Sequence, residues 1–223
     1  MKKQYSLPVI IVAAIVSAYF NLNDNTTSEP ASNNASDNNS AIENYADART
    51  VFWKQLYQQG GQTLYCGVHF GTGYHSGINI EHVYPMSWVT KQLQCGDRSE
   101  CRRNSSRFNQ IEADLHNLFP SLKEANTLRS SFAFSEMQGE KKWIQECDFE
   151  VDENKRKVEP RDEVRGDIAR AMLYMEQQYG LDIFQKQKQM LVRWHETDPV
   201  TDSEIRRNQL IESIQGNSNS FIQ

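Results

Sequence analysis

Ile78-Asn79-Ile80-Glu81-His82-Val83 (INIEHV, residues 78–83) alternates apolar and polar side chains. That period belongs to a strand with one buried face. Ile78 and Ile80 share the apolar face, and Pro85 follows just beyond; proline donates no hydrogen bond to a ladder, so the strand ends before it. Glu81 and His82 therefore sit at a strand end, where the backbone is fixed and side chains still reach solvent. Neighbouring side chains on a strand diverge, so the carboxylate and the imidazole meet different partners. An imidazole near neutral pH is a natural base for a water molecule. Carboxylate and amide oxygens suit magnesium, a hard cation that keeps several waters. Alone, a Glu-His pair carries little weight, because most such pairs are surface residues.

Upstream of this strand, Ala46 to Gln59 has the spacing of an amphipathic helix, with Val51, Trp53 and Leu56 facing inward and Gly60-Gly61 as its stop. Thr63 to Phe70 (TLYCGVHF) is aromatic and apolar enough to read as another strand, and Gly71 to Gly77 is turn-rich. Downstream, Met86 to Leu93 fits a short helix, Cys95 to Phe108 a polar, basic loop, and Asn109 to His116 a helical or irregular stretch. Asn117 to Leu122 is a short apolar run and Lys123 to Ser130 (KEANTLRS) is helix-compatible. Phe149 to Val158 is charged and reads as a surface hairpin. Arg161 to Tyr179 is a helix with Val164, Ile168, Ala171, Met172 and Met175 as its apolar stripe and Gly180 as its stop. Phe184 to His195 forms another, and Thr201 with Glu204 makes a capping box for a last helix reaching Ile214, with Gly216 beyond. The expected fold class is α+β, a mixed domain with more helix than strand.

The first residues point to a compartment. Lys2 and Lys3 precede an uncharged apolar run, Leu7 to Phe20, with small residues at Val16-Ser17-Ala18. This is the layout of a signal peptide, residues 1–18, cleaved near Ala18; the run is short of the roughly 20 apolar residues that span a bilayer, which disfavours an uncleaved anchor. Residues 19–44 are rich in Asn, Ser and Asp and have little to bury, so they read as a disordered spacer. Residues 45–223 suit one compact domain. Export and an even count of four cysteines point to two disulfides. Cys95 and Cys101 flank a short polar stretch, which favours Cys95–Cys101 with Cys66–Cys147 among three possible pairings. A zinc site is the rival reading; it is weakened by the lack of any Cys-x-x-Cys pair. The net charge of -5 argues against a strongly basic sequestering binder of nucleic acid. Basic residues nevertheless bunch at Lys91, Arg98, Arg102, Arg103 and Arg107.

Further along lies Glu112-Ala113-Asp114-Leu115-His116-Asn117, then Asn126 on the helix-compatible segment. A strand-ending His, a middle Asn and a helical Asn, in that order, resemble the ββα-metal, or His-Me finger, arrangement. The resemblance extends further. INIEHVYPMSW, the C-x5-C stretch with Arg98 three residues before Cys101, FNQIEADLHNLFPSLKEANTLRS, RGDIARAMLYM and DPVTDSEIRRNQLIESIQGN are similar to the bacterial endonuclease I family of periplasmic and secreted nucleases. These segments run from about Thr63 to the C-terminus. The resemblance implies a secreted or periplasmic monomer, free of the membrane after signal cleavage. It would cleave DNA, and often RNA, with little sequence preference, leaving 5′-phosphate ends.

Carried over by matching position, the resemblance makes His82 the general base, Glu81 and Asn126 the ligands of one magnesium ion, with manganese or calcium able to substitute, and Arg98 the group that stabilises the phosphate. Glu112, His116 and Asn117 would form the supporting shell, with Arg102, Arg103 and Lys91 available to bind nucleic acid. The chain departs from the family pattern at Val68, where a second cysteine often follows Cys-Gly, and in its short Cys66–Gly77 and Cys95–Cys101 stretches. Arg102 or Arg103 could take the role of Arg98. The alternative function is a secreted nucleic-acid-binding domain of the same fold without turnover.

Overall fold

The computed structural model of the chain describes residues 42–73, 75–138, 144 and 146–223. The signal peptide and nearly all of the spacer expected at the N-terminus lie outside the described residues. The packed body begins slightly ahead of Tyr45. Ile42 packs against a core cluster, and Asn44 Oδ1 accepts from the N–H groups of Ala46 (2.8 Å) and Asp47 (3.3 Å), capping α1 (Tyr45–Val51). α1 runs into a π-helical turn, Phe52–Leu56. Ala48 and Phe52, four residues apart and so on one helix face, are fully buried; the expected Val51, Trp53 and Leu56 are only half-buried.

Of the strand expected over Thr63–Phe70 only His69–Phe70 (β2) is extended, paired with β1 (Gly61–Gln62); the rest forms the turn of this small hairpin. Gly67 sits at φ +64°, a left-handed conformation that glycine adopts without penalty. Thr63 Oγ1 accepts the Val68 N–H at 2.9 Å, and the Cys66–Cys147 disulfide pins the turn. Leu64 and Tyr65 are buried inside it, so the apolar character of this stretch reports burial, not extended backbone.

β3 (Ile78–His82) pairs antiparallel along its whole length with β4 (Leu118–Leu122), with Glu81 opposite Phe119 and His82 opposite Leu118. α5 (Lys123–Arg129) follows directly. Between the two strands come α2 (Met86–Leu93), α3 (Arg98–Asn104), α4 (Ser106–Ala113) and a 3-10 turn, Leu115–Asn117. The polar stretch expected as a loop is thus helical. Asp97 and Glu100 form a capping box, a signal present in the sequence but outweighed there by polar composition. Cys95–Cys101 closes beside it, completing the expected pairing.

β5 (Ala133–Phe134), β6 (Phe149–Asp152) and β7 (Lys157–Pro160) form a second sheet in the order β5-β7-β6. The β6–β7 hairpin is not confined to the surface, since Phe149, Val151 and Val158 are buried. α6 (Arg165–Tyr179), α7 (Gln185–Thr197) and α8 (Asp202–Gln215) complete the body. Gly180 and Gly216, at φ +62° and +86°, end α6 and α8 where expected. Arg170 is buried and bonds both carboxylate oxygens of Glu204, tying α6 to α8. Arg165 pairs with Glu159 and Asp162. The architecture is mixed helix and strand, with helix predominating.

The β3–β4 pair separates two core clusters. Phe119 packs with Tyr65, Val83 and Met172 in the larger one; Ile80 and Leu118 pack with Ala48, Phe52 and Ile211 in the smaller. Facing residues on an antiparallel pair share a side, so Glu81 looks toward Tyr65 and Phe119, and His82 toward Leu118 and α1. Two side chains lock the chain around the pair. Asn117 Oδ1 accepts the Tyr84 N–H at 2.6 Å and its Nδ2 donates to the Tyr84 carbonyl at 3.1 Å. Asp114 accepts from the hydroxyls of Tyr174 and Tyr179 and from Gln215 Nε2. Replacing Asn117 by Ala strands two buried backbone groups, and we expect a loss of about 1–3 kcal/mol, read as a lower urea midpoint with an unchanged m-value.

Candidate active site

Four elements converge at the end of β3. The strand supplies Glu81 (3 % exposed) and His82 (8 % exposed). α5 supplies Asn126, whose Nδ2 donates to Asn79 Oδ1 (3.0 Å) and to the Ile80 carbonyl (3.2 Å), the group just ahead of Glu81. A carbonyl only accepts, so the Ile80 contact fixes which amide atom of Asn126 is nitrogen and turns its amide oxygen away. α3 supplies Arg98 and Arg102, and α4 supplies Glu112.

Glu112 organises the basic side. Its carboxylate is fully buried and accepts from Arg98 Nε (2.5 Å) and from Arg102 Nε (2.7 Å) and Nη2 (2.8 Å). Burial pushes the Glu112 carboxyl up, but the two guanidinium groups outweigh it and hold its pKa below the ordinary value. The arginine side chains remain 44 % and 42 % exposed. The backbone carbonyl of Glu112 meets His82 Nε2 at 3.0 Å. A carbonyl only accepts, so Nε2 carries the ring hydrogen and Nδ1 holds the lone pair of the neutral ring. Burial, reinforced by the positive charge of Arg98, lowers the His82 pKa to about 4, so the ring is neutral at physiological pH.

Glu81 shifts the opposite way. Burial raises its carboxyl to about 7, against the nearby Arg129 charge and the Tyr65 hydrogen bond, both of which favour the ion. Tyr65 Oη donates to Glu81 Oε1 at 2.7 Å, and Arg129 Nε lies 3.4 Å from the same oxygen. Glu81 therefore has a buried charge that its neighbours satisfy only in part.

Hydrogen bonds join His82, Glu112, Arg98 and Arg102 into one group; Glu81, next to His82 in the chain, faces the other side of β3, Asn126 is tied to Asn79 and the Ile80 carbonyl, and Asn117 holds the backbone of Tyr84. His116 contributes elsewhere: its Nε2 meets the Asn217 carbonyl at 3.0 Å and its ring lies 4.6 Å from Tyr174. Lys91 is exposed and lines a separate cavity of about 300 Å³ with Trp88 and Phe184. Arg103 is exposed on α3. Three residues escaped the sequence reading. Tyr45 places its ring 5.0 Å from that of His82, with the guanidinium carbons of Arg98 and Arg102 at 5.6 and 5.5 Å from its centroid; nothing local in the sequence marks it. Tyr65 was hidden by its assignment to a strand. Arg129 had a signal, three residues after Asn126 and so on the same face of α5.

The donor set suits magnesium. Glu81 and Asn126 offer oxygen, the hard donor that magnesium takes, and few protein ligands suffice because it retains waters. All four cysteines are in disulfides, and among the described residues no three His, Cys, Asp or Glu side chains converge as a metal cage. Neither fact fits a thiolate zinc site.

The site thus sets a neutral buried imidazole and two half-exposed arginines around one buried carboxylate. The chain belongs to the endonuclease I family, whose model matches residues 10–223. It is 38 % identical over 193 residues to an extracellular deoxyribonuclease of Aeromonas hydrophila, covering 76 % of this chain and 84 % of that protein. It is 36 % identical to a periplasmic deoxyribonuclease of the same organism, covering 76 % and 81 %. To an endonuclease-1 of Buchnera aphidicola subsp. Acyrthosiphon pisum (strain APS) it is 33 % identical, covering 77 % and 70 %. No helix among the described residues is long and apolar enough to cross a membrane.

The raised pKa of Glu81 gives a pH signature in metal-free protein. Unfolded, Glu81 ionises near its ordinary 4.5; folded, it holds its proton to about 7. The stability this proton confers is present at low pH and is lost as pH rises through 7. In EDTA, Glu81→Gln should therefore gain on the parent protein between pH 5 and pH 8 by about 1–3 kcal/mol, measured by urea unfolding at both pH values.

Proposed function

We propose that this protein is a secreted or periplasmic, magnesium-dependent endonuclease. It hydrolyses phosphodiester bonds of DNA, and of RNA, with little sequence preference. The observation that carries this reading is the single buried Glu112, which orients His82 through its backbone and Arg98 through its side chain. A base for water and a cation for phosphate are thereby held in fixed relation.

In this reading His82 Nδ1 takes a proton from the attacking water, while the Nε2–H···O bond to Glu112 keeps the ring in the required tautomer. Water oxygen bonds to phosphorus and the bond from phosphorus to the 3′ oxygen breaks; the 3′ oxygen takes a proton from solvent, giving a 3′ hydroxyl and a 5′-phosphate. Arg98, joined to Glu112 through Nε alone, keeps both terminal nitrogens for the phosphate, where negative charge grows in the transition state. Arg102 gives Nε and one terminal nitrogen to Glu112 and keeps the other for the backbone. Glu81 and Asn126 would hold a magnesium ion. The chemistry that ion supplies when bound is charge neutralisation at the leaving 3′ oxygen. Contacts of this type go to phosphates and carry no base sequence, which supports cutting of low specificity. Arg103 and Lys91, exposed farther along α3 and α2, add positive charge for the nucleic-acid backbone.

Plasmid incubated with the purified protein and magnesium should be degraded, and EDTA should prevent it. His82→Ala should lower the cutting rate by about 10²–10⁴-fold in a protein that still folds and still retains DNA. A parent protein that retains plasmid on a gel but never nicks it, across a range of pH and salt, would replace this reading with that of a nucleic-acid-binding domain.

A further inference from the structure

Glu81 is gripped from behind by two side chains that the proposed reaction does not itself use. Tyr65 Oη donates to Oε1 at 2.7 Å, and Arg129 Nε stands 3.4 Å from the same oxygen. Both side chains are almost completely buried, where a phenol or a guanidinium is retained only with partners. Both are also anchored by other parts of the chain. The Tyr65 ring stacks on Phe149 of β6 at 4.8 Å. Arg129 Nη2 donates to the Val83 carbonyl at 2.6 Å and Nη1 to that of Ser130 at 3.2 Å, and its guanidinium carbon lies 4.8 Å from the Phe134 ring centroid. Arg129 Nε is buried and makes no hydrogen bond of good geometry; the carboxylate is its electrostatic partner.

We propose that Tyr65 and Arg129 are positioning residues that clamp Oε1 of Glu81 and so present Oε2 as the magnesium ligand. This rests on the reading of Glu81 as a ligand. A glutamate side chain has several rotatable bonds, and ordering it on metal binding carries an entropic cost. Here the cost is met during folding, because the donor and the cation meet the same oxygen from fixed positions. Arg129 cannot follow the carboxylate outward, since its terminal nitrogens are tied to Val83 and Ser130. Outer-shell partners of this kind orient metal-binding carboxylates and commonly matter as much as a weak ligand.

Calorimetric titration with magnesium chloride at one fixed pH tests this, on the parent protein and on Glu81→Gln, Tyr65→Phe and Arg129→Lys, each checked by near-UV circular dichroism. Tyr65→Phe keeps the ring on Phe149 and removes only the hydroxyl. The expected result is a magnesium affinity roughly 10–100-fold weaker in a folded protein, and loss of binding in Glu81→Gln. A parental Kd in Tyr65→Phe, with binding lost in Glu81→Gln, would overturn the clamp and leave the ligand assignment standing. Unchanged binding in Glu81→Gln would overturn the ligand assignment and the clamp with it. If Tyr65→Phe does not fold, Arg129→Lys decides: it keeps a charge but not the fork that bonds Val83 and Ser130, and a parental Kd there would equally overturn the clamp.

Discussion

The five-residue antiparallel pairing of β3 with β4 is the contact on which the rest of the arrangement hangs. Glu81 and His82 end the first strand, and α5 with Asn126 and Arg129 leaves the second without an intervening loop. Pairing alone brings Asn126 against the Ile80 carbonyl. The helices α2, α3 and α4 form the connection between the two strands, so closing the pair also folds Arg98, Arg102 and Glu112 back over His82. A one-residue slip in register would exchange the faces of Glu81 and His82, separating the carboxylate from Tyr65 and the imidazole from Glu112. Asn117, bonded to both backbone groups of Tyr84, opposes such a slip.

Two buried glutamates at this site are treated differently by their surroundings, and the difference divides the labour. Glu112 receives three hydrogen bonds from two guanidinium groups and stays ionised despite burial. It is fully neutralised and works as scaffold. Glu81 receives a bond from a neutral phenol, a looser approach from Arg129 and help from the His82 backbone N–H, together too little to offset desolvation. It is the carboxylate with an unmet demand for positive charge, which is why the proposed cation belongs there and not at Glu112. His82, between them, is kept neutral by burial and by the arginines that Glu112 holds.

Much was legible before any contact was known. The period of INIEHV fixed a strand ending at Glu81–His82, and the segments around Glu112 and Asn126 carried the family resemblance. The Thr201–Glu204 capping box and Gly216 marked the last helix because they are local devices, each satisfied within a turn of chain. Cys95 and Cys101 were pairable by proximity. Errors arose where burial imitates propensity or composition conceals it. Thr63–Phe70 looked extended because Leu64 and Tyr65 are apolar, though Gly67 and the Cys66–Cys147 bridge turn it. Cys95–Phe108 looked like a loop because it is charged, though Asp97 caps a helix there.

The sequence by itself determined which residues are chemically competent and in what order they come, because strand period, capping and residue type depend only on near neighbours. Tertiary structure alone decided which of them share an oxygen, a charge or a proton. Tyr65 and Arg129 meet at Glu81 from a turn and a helix end distant in the chain. Tyr45 reaches His82 from the first helix, while His116, next to Asn117 in sequence, is turned to Asn217 and Tyr174. Such meetings are fixed by packing two core clusters around one pair of strands, a condition set by the whole chain at once.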